Sequence, residues 1–184
     1  MAYAYTPELR FPLAVHRISR GFLKDCSYRD SNNKWVHWGL HLGEDYNTKP
    51  GVAVYALGKG KVVYSALHPG LGPAKRNWGN IIIIAHKNLA TKKVFFSLYG
   101  HLGKKLVNKK DKVTIGQKIG TIAAANTKEN GWWDDAHLHF AIYRGLWKGK
   151  VLPGYYKAGQ HRTRVKDWVS PHEFVRQYHK SSLR

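Results

Sequence analysis

Cysteine, acidic residues and long apolar runs are all scarce in this chain of 184 residues. Cys26 is the only cysteine, so an intrachain disulfide and a four-cysteine zinc site are both excluded. Any metal must therefore be held by histidine and carboxylate. The longest apolar run, residues 81–85, is far shorter than the ~20 residues that cross a bilayer. We expect no transmembrane segment.

The N-terminus also lacks the basic segment and unbroken apolar stretch of a signal peptide. We expect a protein that stays inside the cell, leaves by lysis or a phage-encoded pore, or has had its leader removed. The hydrophobic share of 43% and the seven Trp indicate a folded globular protein. The length is that of a single domain with a core of its own.

Basic residues are abundant, and 31 Lys and Arg against 11 Asp and Glu give a formal charge of +20. Such a surface favours polyanions: nucleic acid, anionic lipid, or the teichoic acids, lipopolysaccharide and muropeptide carboxylates of a bacterial envelope. Charge alone does not choose among them. The basic run at residues 104–112, taken alone, is typical of a solvated loop.

Strand and turn signals dominate the chain. Residues 52–57 and 61–66, separated by Gly58 and Gly60, predict a β-hairpin. The four isoleucines at 81–84 predict a strand covered on both faces. Further strands are predicted at 94–99, ending at Gly100, at two short stretches within 113–125, and at 136–143, where polar and apolar residues alternate.

Helix signals are few. The clearest is Ser170-Pro171-His172-Glu173, which matches a capping box with Pro at the first helical position. It predicts a helix of about two to three turns that ends at Tyr178 or His179. We therefore predict a mainly β, compact antiparallel sandwich-like fold with a short C-terminal helix, in a single domain over residues 1–184.

Three histidine-containing motifs could carry chemistry. In His41-Leu-Gly-Glu-Asp45, positions i and i+4 share a face, so both side chains can converge on one ion; alone, the pattern is weak. In His137-Leu-His139, residues two apart on a strand point the same way, although two exposed histidines would explain it too. His101, at the end of a predicted strand, would alone be unremarkable.

Together these motifs offer three ligands and two further histidines. A catalytic zinc site uses three protein ligands, keeps one position open for water, and needs a group that moves protons. The count fits such a site without surplus. A structural zinc with four ligands would use another histidine and leave no open position. His37, four residues before His41, is expected to be structural or to lie behind the ligands.

The motifs resemble, in order, those of the lysostaphin-type zinc endopeptidases, also called the LytM-like family. That family's HxGxD, Pro-Gly turn, GNxIxIxH, YxHL, GQxIG and HLHF elements fall between about residues 17 and 143. Residues 144–184 then form a C-terminal extension that ends with a family-like Trp-Val-Ser-Pro. The matching residues are His41-Leu-Gly-Glu-Asp45, Pro50-Gly51, Gly79-Asn-Ile-Ile-Ile-Ile-Ala-His86, Tyr99-Gly-His101-Leu102, Gly116-Gln-Lys-Ile-Gly120 and His137-Leu-His-Phe140.

The resemblance implies a mostly antiparallel β fold with a groove over one sheet, and hydrolysis of the peptide part of bacterial peptidoglycan. It implies zinc ligation by His41, Asp45 and His139, with His101 and His137 assisting catalysis. Which of these two histidines acts as base stays open. So does the bond cleaved, either a D-alanyl–diaminopimelate crosslink or a glycyl bridge. The lack of a signal peptide and of a wall-binding module favours a phage lysin or virion-associated enzyme that acts at the cell wall, and a bacterial housekeeping enzyme stays open.

Aromatic residues could line the groove. We expect Tyr99, Trp132 and Trp133, together with Trp78, to contact peptide or glycan, although core packing explains each of them singly. The family's usual Gly-Pro before the last histidine pair is replaced here by Asp135-Ala136, which changes one groove wall. The basic surface would hold the protein on anionic envelope polymers.

Two other functions compete with this interpretation. One is a non-catalytic wall-binding or regulatory member of the same family; such members usually lack a metal ligand, and none is missing here. The other is a nucleic-acid-binding β domain, suggested by charge and aromatic residues. It gives no reason for the ordered histidine motifs, so we expect no specific nucleic-acid partner.

Overall fold

The computed structural model describes residues 5–6, 9–15, 17–30, 32–88, 91–157 and 163–181. Short strands dominate these residues, and one α-helix, α1 (Pro171–Ser181), lies at their C-terminal end. The strands are β1 Tyr5–Thr6, β2 Ile18–Arg20, β3 Tyr28–Arg29, β4 Trp35–Val36, β5 Leu40–His41, β6 Glu44–Asn47, β7 Ala53–Tyr55, β8 Gly60–His68, β9 Gly79–Asn88, β10 Val94–Lys105, β11 Lys112–Val113, β12 Lys118–Ile122, β13 His137–Tyr143, β14 Tyr155–Tyr156 and β15 Trp168–Val169.

Eleven of these described strands belong to one sheet. Its main path runs β11-β8-β9-β10-β13-β6-β2. Off this path, β12 pairs with the C-terminal part of β10 on one side and with β7 on the other. Neighbours on the main path pair antiparallel, whereas β1 lies parallel to β9. Small two-stranded sheets join β14 to β5 and β3 to β4. The mainly β antiparallel fold with a short C-terminal helix is therefore confirmed.

Both faces of the central strands are covered, as the isoleucine run predicts. Side chains alternate across a strand, so Ile82 and Ile84 pack into one apolar cluster while Ile81 and Ile83 pack into another. All four are fully buried. Burying each stabilises the fold by about 1.5–3 kcal/mol relative to exposure. The double covering fixes β9 and β10 as a rigid base for the strands beside them.

The predicted hairpin of residues 52–57 and 61–66 is wrong. β7 pairs with β12, and β8 pairs with β9 and β11. The chain between β7 and β8 makes its hydrogen bonds elsewhere: Ala56 N donates to Gln117 O, and Leu57 N donates to the hydroxyl of buried Tyr99. Burial of this connection against the core outweighs the local turn signal of its glycines.

The C-terminal helix is anchored by a buried carboxylate. Ser170 Oγ accepts from Glu173 N at 3.3 Å, which is the N-cap bond that the capping box predicts. Ser170 Oγ also donates to Glu44 Oε1 at 2.8 Å, and His172 N donates to Glu44 Oε2 at 3.1 Å. Glu44 lies on β6 and is 2% exposed, so α1 is tied to that strand. Among the described residues, no helix is long and apolar enough to span a bilayer.

Replacing Glu44 by Gln should destabilise the protein by about 2 kcal/mol, because an amide nitrogen would face donors that now bind a charged acceptor. Urea unfolding followed by circular dichroism measures the change. Glu173→Gln, at an exposed position of the same helix, is the matched control and should shift the midpoint much less. Equal midpoints for both variants would contradict the anchoring role of Glu44.

Candidate metal and catalytic site

The three predicted metal ligands meet beside the central sheet. Asp45 on β6 and His139 on β13 are direct partners in the antiparallel ladder, and His41 ends β5 just before β6 begins. Asp45 Oδ1 lies 3.1 Å from His41 Nε2 and 3.0 Å from His139 Nδ1, and the two nitrogens are 3.0 Å apart. Two ligands of a tetrahedral zinc ion are about 3.3 Å apart. The triangle of donor atoms therefore has the size of such a site.

Hydrogen bonding alone does not account for this triangle. His41 Nδ1–H donates to Gly21 O at 3.1 Å, so in the neutral tautomer that fits this bond Nε2 carries only a lone pair. The carboxylate oxygen of Asp45 carries no hydrogen either, yet the two acceptors are 3.1 Å apart. Such a contact is repulsive unless a cation or a shared proton lies between the atoms. The arrangement fits a divalent cation.

The protonation states of the ligands suit a metal. Although burial opposes it, the adjacent His139 and His41 hold the pKa of the Asp45 carboxyl well below its usual range. Burial lowers the pKa of His139 to about 4. An ionised carboxylate and a neutral imidazole are the forms that bind metal. At neutral pH neither group has to lose a proton first.

Residues behind the triangle fix its geometry. Arg20 Nη1 lies 3.5 Å from the other oxygen of Asp45, Oδ2, and donates to the Tyr155 hydroxyl at 3.2 Å. A Cβ at Gly43 would lie 2.6 Å from His139 Nε2 and 2.6 Å from Phe140 O. Only glycine lets the chain between the first two ligands pass this close to the third.

His101 reaches the site through a β-bulge. Tyr99 pairs with Ile82 and Leu102 with Asn80, so β10 holds one residue more than β9 over this stretch. His101 has φ of 63°, a left-handed conformation that is uncommon for non-glycine residues. The expectation that β10 ends at Gly100 is therefore wrong, since the strand continues through the bulge. The bulge turns the His101 ring toward His137, at a centroid distance of 4.5 Å.

A buried carbonyl orients His101. Its Nδ1–H donates to Asn130 O at 2.8 Å, which leaves Nε2 as the nitrogen available for proton exchange. Burial, together with the neighbouring His137 and His139, holds the pKa of His101 well below its usual range. His101 is thus a neutral imidazole with a fixed tautomer.

His137 has a different environment. Its Nδ1 lies 3.3 Å from both the backbone oxygen and the carboxylate oxygen Oδ1 of Asp135. Although burial works against the charged form, these hydrogen bonds and the charge of Asp45 raise the pKa of His137 above its ordinary value. The two histidines that the resemblance groups together are therefore held by different partners.

A cavity of about 180 Å³ adjoins the site, and His101 and His139 both line it. Aromatic rings form much of its wall. Trp133 is 8% exposed, lies 5.6 Å from the His101 ring between centroids, and donates from Nε1 to Asn77 O. Trp38, Trp78 and Tyr155 complete this wall. A second cavity of about 680 Å³ shares Trp38, Arg76 and Trp133 with the first, so the two are adjacent.

The aromatic predictions have different outcomes. The structure places Trp133 in the walls of both cavities, as expected of a substrate contact. Trp132 is half-buried and does not line either of these two cavities. Tyr99 is corrected: it is fully buried, packs on Phe140, and its hydroxyl accepts from Leu57 N, so it presents no surface to a substrate.

The sequence predictions missed several residues of the site. Arg20 and Gly21 come from a strand and turn far upstream, and Tyr155 from the segment after β13, without a motif around them. The dipeptide Asn130-Gly131 signals a turn but does not reveal that its carbonyl faces His101. His37 contacts Ser27 Oγ and lies 3.8 Å from Asp25 Oδ1, so it is a surface residue.

The sequence model of peptidase family M23 matches residues 39–152, more than half of the chain. This chain belongs to peptidase family M23. The match includes the five histidine and aspartate side chains described above, and it confirms the resemblance to lysostaphin-type peptidases. It starts and ends later than the expected core of about residues 17–143. The division into a single domain over residues 1–184 stays a prediction.

Two curated relatives share the M23 region. The murein hydrolase activator NlpD of Escherichia coli is 34% identical over 108 residues, which are 58% of this chain and 24% of NlpD. The peptidoglycan DD-endopeptidase ShyB of Vibrio cholerae is 36% identical over 102 residues, which are 55% of this chain and 20% of ShyB. The chain thus spans a quarter or less of the length of either relative.

The fold is also that of a solved M23-type structure. The catalytic domain of the antimicrobial peptidase lysostaphin from Staphylococcus simulans superposes with a TM-score of 0.57, covering 88% of this chain and 92% of that domain. The two sequences are 20% identical, so this likeness shows the fold alone.

Gly43→Ala should weaken zinc binding by at least about tenfold, because the added Cβ would displace the His139 ring or the β13 backbone. Zinc competition with a chromogenic chelator measures the affinity. Gly149→Ala is the matched control, since Gly149 is exposed, lies outside the site, and a Cβ there would meet nothing within 4 Å. Unchanged affinity in Gly43→Ala would show that close approach at this glycine does not set the ligand geometry.

Proposed function

We propose that this M23 chain is a zinc-dependent endopeptidase that hydrolyses the peptide part of bacterial peptidoglycan. The observation that carries the proposal is the complete set of side chains at one place. Three buried donor atoms form a metal-sized triangle, and the rings of His101 and His139 lie 6.3 Å apart between centroids. A metal site without a catalytic role would not need two further histidines held beside it with their Nδ1 atoms engaged.

Zinc suits the donor set better than other biological divalent cations. Two imidazoles and one carboxylate are typical zinc ligands, whereas Mg²⁺ and Ca²⁺ prefer oxygen donors throughout. His41, Asp45 and His139 would hold the ion, and three protein ligands leave room for a water or substrate. When bound, zinc supplies Lewis-acid polarisation of a peptide carbonyl and lowers the pKa of water.

The protein's own groups supply proton transfer and orientation. His101 and His137 each have Nδ1 engaged, so their Nε2 atoms are available to take a proton from water or to give one to the leaving amine. Their rings lie 4.5 Å apart and can therefore serve the same reacting group. Trp78 and Trp133 pack beside these rings and restrict the access of bulk water.

The rival is a non-catalytic regulatory role, which the similarity to a murein hydrolase activator keeps in view. The similarity to a DD-endopeptidase is of the same order. Sequence identity therefore does not distinguish a regulatory role from an enzymatic one, but the side chains of the site favour an enzyme. All five predicted site side chains, four histidines and one aspartate, are present in this chain, and all five are buried. That the chain is a phage lysin stays a prediction.

Digestion of purified Gram-negative and Gram-positive sacculi, with products identified by mass spectrometry, tests the proposal. We expect new amino termini that a zinc chelator abolishes, and the product masses name the bond. His139→Ala should lose zinc and cleavage together, whereas His101→Ala should keep zinc and lose cleavage by at least about 10²-fold. Zinc-loaded protein that cuts neither wall would favour the regulatory role, and a fully active His101→Ala would remove His101 from the mechanism.

We also propose that the basic surface holds the protein on anionic envelope polymers. Lys104, Lys109, Lys110 and Lys112 are exposed around β11. Four exposed lysines within nine residues form a basic surface that attracts polyanions.

Binding of the protein to teichoic-acid-bearing walls should fall steeply as NaCl is raised. The triple substitution of Lys104, Lys109 and Lys112 by Gln should reduce both the affinity and its salt dependence. Co-sedimentation with walls before and after removal of teichoic acid measures both. The control variant, with Lys24, Lys49 and Lys128 replaced by Gln, loses the same number of positive charges from other parts of the surface. Equal losses in the two triple variants would show that net charge, rather than this surface, governs binding.

A further inference from the structure

The carboxylate of Asp135 contacts one of the two histidines beside the metal triangle. Its Oδ1 lies 3.3 Å from His137 Nδ1, and the backbone oxygen of the same residue lies equally far from that nitrogen. Both are acceptors, so Nδ1 carries the hydrogen and Nε2 faces away with its lone pair. The side chain of Asp135 is 46% exposed and that of His137 is 4% exposed, so the contact reaches from the surface into the site.

Asp135 is itself held in place by a buried amide. Asn130, which is fully buried, donates from Nδ2 to Asp135 O at 3.1 Å. Asn130 Oδ1 accepts from Trp133 N at 2.7 Å. These two hydrogen bonds fix the loop that carries Asp135 against the cavity wall. The loop therefore holds the Asp135 carboxylate close to His137.

Asn130 also contacts the other histidine, His101, and there the acceptor is neutral. The backbone carbonyl of Asn130 receives Nδ1–H of His101 at 2.8 Å, and no carboxylate among the described residues contacts the His101 ring. A carboxylate acceptor carries a full negative charge, whereas a carbonyl acceptor is a neutral dipole. The two histidines therefore differ in the partner that orients them.

We propose that Asp135 is a positioning residue that orients the His137 ring and fixes its Nδ1–H tautomer for proton transfer. The proposal rests on the peptidase function above. Outer partners of this kind typically contribute 10- to 100-fold to activity.

The test compares Asp135→Asn with wild type, using the full chain loaded with zinc. Nuclear magnetic resonance of the ¹⁵N-histidine-labelled protein reports the Hδ1 proton of His137. In wild type we expect a downfield Hδ1 signal, which moves upfield or exchanges away in Asp135→Asn while zinc content is unchanged. Asp111→Asn is the matched control, since it removes one charge at an exposed turn.

Kinetics on a crosslinked muropeptide complete the test. We expect kcat to fall about 10- to 100-fold in Asp135→Asn with KM unchanged, and both constants to be unchanged in Asp111→Asn. An unaltered Hδ1 signal, or an altered signal with wild-type kcat, would overturn the positioning role. If wild type cleaves no peptide, the peptidase proposal fails, and the Hδ1 signal still decides whether Asp135 orients His137.

Discussion

Antiparallel pairing of β6 with β13 sets Asp45 directly opposite His139, and every other part of the site is arranged around that pair. Because side chains alternate across a strand, a slip of one residue would turn the His139 ring into the core and turn Leu138 and Phe140 out of it. The register is held by the apolar residues between the ligands. Leu138 and Phe140 are fully buried in the cluster on the opposite face of the sheet. Packing of the core thus fixes the geometry of the candidate metal site.

Close approach of backbones is the second constraint. Gly43 passes against His139, and Gly100, opposite His139 in the ladder, leaves room for the Trp78 ring that a Cβ would meet at 2.7 Å. The bulge at His101 then brings a fourth imidazole into the same region. Strain at that residue is compensated by the hydrogen bond from His101 N to Trp78 O and the one from its ring to Asn130 O.

Acceptors in the loops beside the strands set the tautomers of three histidines of the site. Gly21 O holds His41, Asn130 O holds His101 and Asp135 holds His137. In each case the acceptor takes the hydrogen on Nδ1 and leaves Nε2 for the metal or the reaction. The site therefore combines predicted ligands on rigid strands with loop acceptors that set the tautomers, an arrangement that keeps its geometry precise.

The sequence by itself determined the β class, the buried isoleucine strand, the C-terminal helix and the five polar side chains of the site. Those features depend on local periodicity and on motif spacing, both of which can be recognised from the order of residues alone. Only the tertiary structure decided that Tyr99 lies in the core, that residues 52–66 form no hairpin, and that β10 continues through a bulge. It also decided that Arg20 and Gly21 contact two of the predicted ligands and that Asn130 orients His101. These outcomes depend on contacts between residues far apart in sequence, where burial and hydrogen bonding across the fold outweigh local turn and strand preferences.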